Sequence, residues 1–324
     1  MVNLVAAQRP LIHGLMKMAG IRPYMVEIEP GTVMSFWVPS ETISKPKKKH
    51  EKPKLIAKPN KPIVVMVHGF AAEGIVTWQF QVGALTKKYV GALTKKYAVY
   101  IPDLLFFGGS TTDKEDRSPR FQAECFAAAL TKLGVEKCVV VGFSYGGTVA
   151  FEMAEMYPEL VQAMVIFGSI LTMPDPISTG SVTQLGFSSS KELLLPVSVK
   201  GLMALLSVTT HRKLWFPNRL YKDFLEVMFT HRKERGELLE MVSNKDINNI
   251  PKFPQRIHLL WGENDQIFKR ELAKNMKEQL GDGATFQGIK KAGHLVHLER
   301  PCVYNRCLKR FIASFFASNC EAKI

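Results

Sequence analysis

The stretch VVVGFSYGGTVAFEMA, residues 139–154, runs from three valines through a glycine-flanked serine into a segment rich in alanine, methionine and glutamate. An unbroken β-branched run suits a strand buried on both faces, and the residues after Tyr145 have the composition of a helix. Between them, Gly142-Phe143-Ser144-Tyr145-Gly146 has the form G-x-S-x-G. Residues this common match three fixed positions by chance in roughly one chain of this length in ten. The weight of the motif therefore lies in its strand-turn-helix setting. So tight a turn brings the two backbones nearly into contact, which glycine permits. It holds the serine hydroxyl above the sheet, close to the positive end of the following helix.

Outward from this point the strand signal repeats in IVVMVHGF (63–70), AVYIPDL (98–104), LVQAMVIFGS (160–169) and RIHLLWGEND (256–265), with helical stretches between. Buried strands alternating with helices predict an α/β fold with a mostly parallel sheet covered on both sides. Residues 24–38, YMVEIEPGTVMSFWV, read as a hairpin around Pro30-Gly31. Between residues 170 and 250 the alternation stops, and KELLLPVSVKGLMALLSV and NRLYKDFLEVMFTHRKERGELLEMV read as helices of an inserted cap. The expected organisation is 1–61 (helix, hairpin and basic loop), 62–169 (first part of the core), 170–250 (helical cap) and 251–324 (second part of the core). A closing helix is read from ERPCVYNRCLKRFIASFFAS, whose Val303, Leu308, Phe311, Ile312 and Phe315 have helical spacing. Residues 82–89 and 90–97 are both VGALTKKY. A period of eight is too short for a solenoid, so one copy is expected to lengthen a helix or loop out, leaving the strand at 98 in register.

The formal charge of +14 is concentrated. KPKKKHEKPKLIAKPNK (45–61) carries eight lysines against Glu51, half of the excess. Its prolines mark an exposed loop; its functional reading is attraction to anionic lipid headgroups. Nucleic acid is not an expected partner, because no aromatic residue is interleaved with those lysines and no nucleic-acid motif accompanies them. No apolar run spans a bilayer, and the first twenty residues do not read as a secretory signal, leaving a short amphipathic helix that packs on the body or touches a membrane surface. Five cysteines without a C-x-x-C pair suit reduced thiols and an intracellular, cytoplasmic or membrane-associated location. His13, His50, His211, His231 and His258 lack metal-ligand spacing, and no phosphate loop or dinucleotide fingerprint is present, so neither metal nor cofactor is expected.

A serine hydroxyl needs a base and a group that orients the base. WGENDQIF offers Asp265 just past a buried strand, with Asp103 and Glu263 as rivals, and KKAGHLVHLERP offers His294, with His297 as its rival. Upstream, His68-Gly69-Phe70 ends a strand where a backbone N–H can face a developing oxyanion, and the N–H of Tyr145 is the second donor. Ser, Asp and His stand in the chain order of an α/β-hydrolase.

On these motifs, together with IPDLLFFGGST (101–111), the chain resembles serine hydrolases of the α/β-hydrolase fold with an HG-x oxyanion segment and a helical cap, over roughly residues 60–317. The style of WGENDQIF and the basic loop is similar to plant members described as lipase-like or epoxide-hydrolase-like. The resemblance implies Ser144 as nucleophile, His294 as general base and acid, Asp265 as orienting carboxylate, and Phe70 and Tyr145 as oxyanion donors. His68 and Gly69 then shape the supporting loop. Epoxide hydrolases and haloalkane dehalogenases carry aspartate at the elbow, whereas this chain carries Ser144, which turns the expectation from alkyl-enzyme chemistry to acyl transfer. The apolar insert, with Leu202, Leu205, Phe216 and Met228, points to a lipophilic carboxylic ester as substrate. The alternatives are a small-molecule receptor on the same fold, or a carbon–carbon bond hydrolase or acyltransferase with the same triad.

Overall fold

A computed structural model of the chain describes residues 2–44, 53–82, 93–171, 183–184, 186–242 and 251–321. Eight strands form one sheet: β1 (Ile21–Glu29), β2 (Thr32–Pro39), β3 (Ile63–Val67), β4 (Ala98–Pro102), β5 (Cys138–Phe143), β6 (Val161–Phe167), β7 (Arg256–Gly262) and β8 (Ala284–Ile289). Their spatial order is β1-β2-β4-β3-β5-β6-β7-β8. The β1–β2 hairpin is antiparallel and joins β4 antiparallel through Phe36↔Pro102 and Trp37↔Ile101. From β4 across to β8 every pairing is parallel.

Both faces of the central strands are buried, and alternate residues go to opposite layers, as the two-residue period of a strand requires. Val64 and Met66 of β3 join one core with Val139, Val141, Val165 and Phe167; Val65 and Val67 join the other with Val140, Met164 and Ile166. This explains why the strands read as continuous apolar runs. Strand β8 gave no such signal. It pairs on one side only and is buried fully just at Ala284 and Ile289, so Thr285, Gln287 and Gly288 are tolerated.

The helical layers include α1 (Leu4–Met18), α2 (Gly74–Val82), α3 (Pro119–Lys132) and α4 (Tyr145–Met156). Side chains of Asn3 and Ser118 cap the orphan amides of α1 and α3, accepting from Ala6 N–H at 2.9 Å and Phe121 N–H at 3.1 Å. Helix α1 runs through Pro10. Its Met16 and Val5 are buried, and its start is tied to the insert by Leu4 N–H donating to Asp223 Oδ2 at 2.7 Å.

The insert is a helical cap. Its described helices are Ser190–Leu194, Val199–Thr209, Asn218–Met228 and Arg232–Val242. Each of the two segments expected as helical is broken once, the first around Pro196 and the second at His231, whose φ is +48°. Arg235 plugs the cap into the core: Nε donates to Phe106 O at 2.9 Å, Nη1 to Met228 O at 2.5 Å, and the guanidinium lies 4.0 Å from the Phe107 ring centroid.

Most of the VGALTKKY duplication, residues 83–92, lies outside the described residues; α2 is described as far as Val82, and β4 is in register, Ala98 opposite Ile63. Residues 45–52 of the basic loop also lie outside them. Within 53–61, Lys58 pairs with Glu136 at 2.5 Å and Lys61 with Glu41 at 3.7 Å. Cys125, Cys138, Cys302 and Cys307 are free thiols. Among the described residues no helix is long and apolar enough to cross a membrane.

Burial lowers three histidine pKa values, His68 and His258 to about 4 and His297 to about 3, and raises that of Asp103 to about 7. Between their unfolded value of 6.5 and those folded values, the histidines bind more protons when the chain unfolds, so their contribution to stability falls as pH falls. Asp103, between 3.8 and about 7, and Glu73, whose carboxyl burial also raises, act in the opposite sense. That is two groups against four once His13, lowered by burial and by Lys17 and Arg9, is counted with the other histidines. The urea midpoint should therefore drop as pH is lowered from 6.5 towards 4, and His297→Phe should flatten that dependence. An unchanged slope in the variant would show that His297 is not held neutral by the fold.

Candidate active site

Ser144 occupies the turn between β5 and α4 with φ +50° and ψ −122°, a conformation that costs a residue bearing a Cβ of order 1–3 kcal/mol. Hydrogen bonds hold it there. Its N–H donates to Phe167 O at 3.0 Å, and its carbonyl accepts from Gly147 N–H at 2.8 Å. A Cβ on Gly142 would lie 2.8 Å from Gly147 Cα, and one on Gly146 would lie 2.3 Å from His68 O. Strand, helix and the His68-Gly69 loop thus meet backbone against backbone, and no larger residue fits at either glycine.

The loop after β3 lies over this turn. A Cβ on Gly69 would come within 3.1 Å of Ser144 Cβ, and the rings of Phe70 and Tyr145 pack edge-on with centroids 5.8 Å apart. Tyr145 is the first residue of α4, so its N–H has no carbonyl one turn earlier to bond. His68 is fully buried with both ring nitrogens engaged, Nδ1 with Gly69 O at 2.7 Å and Nε2 accepting from Leu104 N–H at 2.9 Å. Burial lowers its pKa to about 4, so it stays neutral and shapes the loop.

Asp265 and His294 arrive from the far side of the sheet, one after β7 and the other after β8. His294 Nδ1 is 2.9 Å from Asp265 Oδ2. The other oxygen, Oδ1, accepts from Ile267 N–H at 2.9 Å and Phe268 N–H at 3.0 Å, so the carboxylate is anchored by its own turn. With Asp265 ionised, Nδ1 carries the proton and Nε2 is left as the basic nitrogen. The imidazole packs between the Phe143 and Phe268 rings, at 5.0 and 5.9 Å between centroids.

Asp103 and Glu263 are engaged away from His294, and His297, although it borders the same cavity, is walled in by aromatic rings. Asp103 Oδ1 accepts from Gly74 N–H at 2.8 Å, Glu263 lies beside Gly288 and 4.0 Å from Arg270, and His297 is enclosed by Phe143, Phe167 and Trp78.

Two contributors went unread in the sequence. Glu299 Oε2 accepts from Gly293 N–H at 2.6 Å, while Oε1 accepts from His211 and Arg212 N–H at 2.8 and 3.1 Å, joining the histidine loop to the cap. Its carboxylate in GHLVHLERP was the available signal. Helix α1, expected as a short helix that packs on the body or touches a membrane surface, is a wall of the site. A cavity of about 430 Å³ has Ser144, His294, Gly69 and Phe70 on its floor, Leu205 and Phe216 of the cap above, and Val5, Arg9 and Ile12 of α1 at one side. Arg9 is held there by Glu73 Oε2 at 2.7 Å.

An eight-stranded, mostly parallel sheet with a serine elbow and an inserted helical cap defines a class. Residues 62–301 match the family model for the alpha/beta hydrolase fold. The chain belongs to that family, whose members include hydrolytic enzymes of several chemistries. It is 23% identical over 275 residues to epoxide hydrolase 3 of Xenopus tropicalis, covering 79% of this chain and 72% of that protein. It is 24% identical over 229 residues to 2-hydroxymuconate semialdehyde hydrolase of Pseudomonas putida, covering 66% and 76%. Among solved structures, a bacterial membrane phospholipase A superposes with a TM-score of 0.74 at 20% identity, covering 96% of this chain and 91% of that one.

The strained φ yields a stability test independent of chemistry. Ser144→Gly should raise the unfolding free energy by about 1 kcal/mol, whereas Ser144→Ala, which keeps the Cβ, should leave it nearly unchanged. Denaturant titration of the two variants measures both.

Proposed function

We propose that this protein is a serine hydrolase that attacks the carbonyl carbon of a lipophilic carboxylic ester. The observation that carries the reading is the 2.9 Å His294–Asp265 contact, with His294 and Ser144 on the floor of one apolar cavity. In this reading Ser144 Oγ adds to the carbonyl as His294 Nε2 takes its proton. Asp265 keeps the imidazole in the Nδ1–H tautomer and stabilises the imidazolium. The tetrahedral oxyanion accepts hydrogen bonds from the N–H groups of Phe70 and Tyr145, each such donor being worth about 3 kcal/mol in a well-studied protease. His294 then protonates the departing alcohol. Water, deprotonated by the same histidine, cleaves the acyl-enzyme and releases the acid. The residues at the elbow argue against epoxide opening through an alkyl-enzyme despite the name of one relative, since that chemistry places a carboxylate where Ser144 stands.

A second reading has its own support. The Pseudomonas relative is named for a semialdehyde substrate, and in this reading hydrolysis of a carbon–carbon bond beside a carbonyl would call on the same serine, histidine and oxyanion donors. The two reactions differ in the group that leaves, an alkoxide or a stabilised carbanion.

A fluorophosphonate probe should label the wild type and fail on Ser144→Ala. Hydrolysis of p-nitrophenyl esters should vanish in Ser144→Ala and His294→Gln, with kcat falling by about 10⁴ in Asp265→Asn. Labelling without ester turnover, but with cleavage of a vinylogous 1,5-diketone, would establish the second reading; no labelling at Ser144 would overturn both.

A further inference from the structure

Helix α1 has two apolar faces. Val5, Arg9, Ile12 and Met16 turn inward, three of them to the cavity wall and Met16 to the core. Leu4, Leu11 and Met18, seven residues apart and so on one stripe, are 45%, 66% and 78% exposed. Beside the same cavity, the segment 211–217 places Leu214 and Phe216 on its lining and leaves Trp215 79% exposed. Arg219, just beyond, donates to Val2 O at 2.6 Å, so the segment and the start of α1 are neighbours.

The charged residues that α1 and residues 211–219 contribute to this face are all basic. Neither α1 nor residues 211–219 contain an acidic residue. Exposed Lys17, Arg212 and Lys213 form no ion pair among the described residues. Three carboxylates border the face and keep their charge: Asp223, which accepts from Leu4 N–H and lies 3.8 Å from Arg219, exposed Glu226, which accepts from the Asn3 amide, and Glu299, which accepts from backbone N–H groups. Arg219 offsets the first, and exposed Lys17, Arg212 and Lys213 outnumber the other two.

We propose that this face, α1 together with residues 211–217, seats on an anionic lipid bilayer, with Trp215 and Leu11 entering the interface and the cavity mouth opening onto the membrane. A water-exposed tryptophan beside basic residues has the character of an interfacial anchor. A helix with no acidic side chain and an outward apolar stripe suits the plane of the headgroups. A negative surface attracts the three cations, whereas a second copy of this chain, also +14, would set like charges against them. The basic loop, which the sequence nominated for lipid contact, is not required. The proposal goes beyond the hydrolase reading and survives its failure, since binding is measured on full-length Ser144→Ala protein.

Of the four tryptophans, Trp37, Trp78 and Trp261 are buried and contribute a constant background, so a change of intrinsic emission on adding vesicles, absent in Trp215→Phe, reports on Trp215. Vesicles containing phosphatidylserine should shift its emission to the blue, and brominated lipid should quench it. In flotation, Leu11→Ser/Trp215→Ser and, separately, Arg212→Glu/Lys213→Glu should each weaken binding about tenfold. Neutralising Lys47, Lys48 and Lys49 should leave binding to these vesicles within a factor of about two. Absence of a shift or of quenching overturns the proposal. So does binding that depends on the loop lysines but not on Trp215. A blue shift without vesicles that tracks a dimer mass in light scattering would assign the face to a second copy and overturn it as well.

Discussion

Strand β5, helix α4 and the loop after β3 meet so closely that a methyl group on Gly142 would lie 2.8 Å from Gly147 Cα, and one on Gly146 only 2.3 Å from His68 O. The site is arranged around this close approach. It sets Ser144 at positive φ with its hydroxyl-bearing carbon at the end of the sheet, and it brings the Gly69-Phe70 backbone over the serine. The positions of the proposed oxyanion donors therefore follow from a contact between backbones and not from any side chain of their own.

Around that point the molecule arranges polar groups by burial. His68 spends both nitrogens on the backbone of its loop and the β4 exit, and Asp103 accepts from the start of α2. Arg235, nearly fully buried, reaches from the cap to the Phe106 carbonyl and lies over Phe107, and desolvation lowers its pKa to about 10. These groups join loops that have no secondary structure to pair, so their contribution is positional: each fixes a segment bordering the cavity. The cap is tied to the Ser144 end of the sheet by Arg235 and Glu299, and to α1 by Asp223.

The legible parts of the sequence were those where one local rule dominates. Strands β3 to β7 are buried on both faces, and their runs of Val, Ile and Met have no polar alternation to confuse them. Strand β8, at the edge, needs apolar residues only where it touches its neighbour, and ATFQGI accordingly carried no signal. Asp265 and His294 were nominated by chain order and by the loops they sit in, although 29 residues separate them in sequence; their 2.9 Å contact exists because β7 and β8 are adjacent. Glu299 and Arg235 went unread because an isolated charge on a helix is ordinarily solvated, and only packing against a second element makes it structural.

The α/β class, the elbow at Ser144 and the order of the polar residues offered for chemistry are written in the chain itself, because strand periodicity, glycine spacing and turn geometry are properties of short segments. Folding was needed to make residues 5–12 a wall of the cavity and to put an exposed tryptophan and a helix with no acidic residue on one face. Residues 5–12 and 205–216 are about two hundred positions apart, and nothing in either segment specifies the other. They meet because each has an apolar side that water excludes, and the floor around Ser144 is where both can bury it.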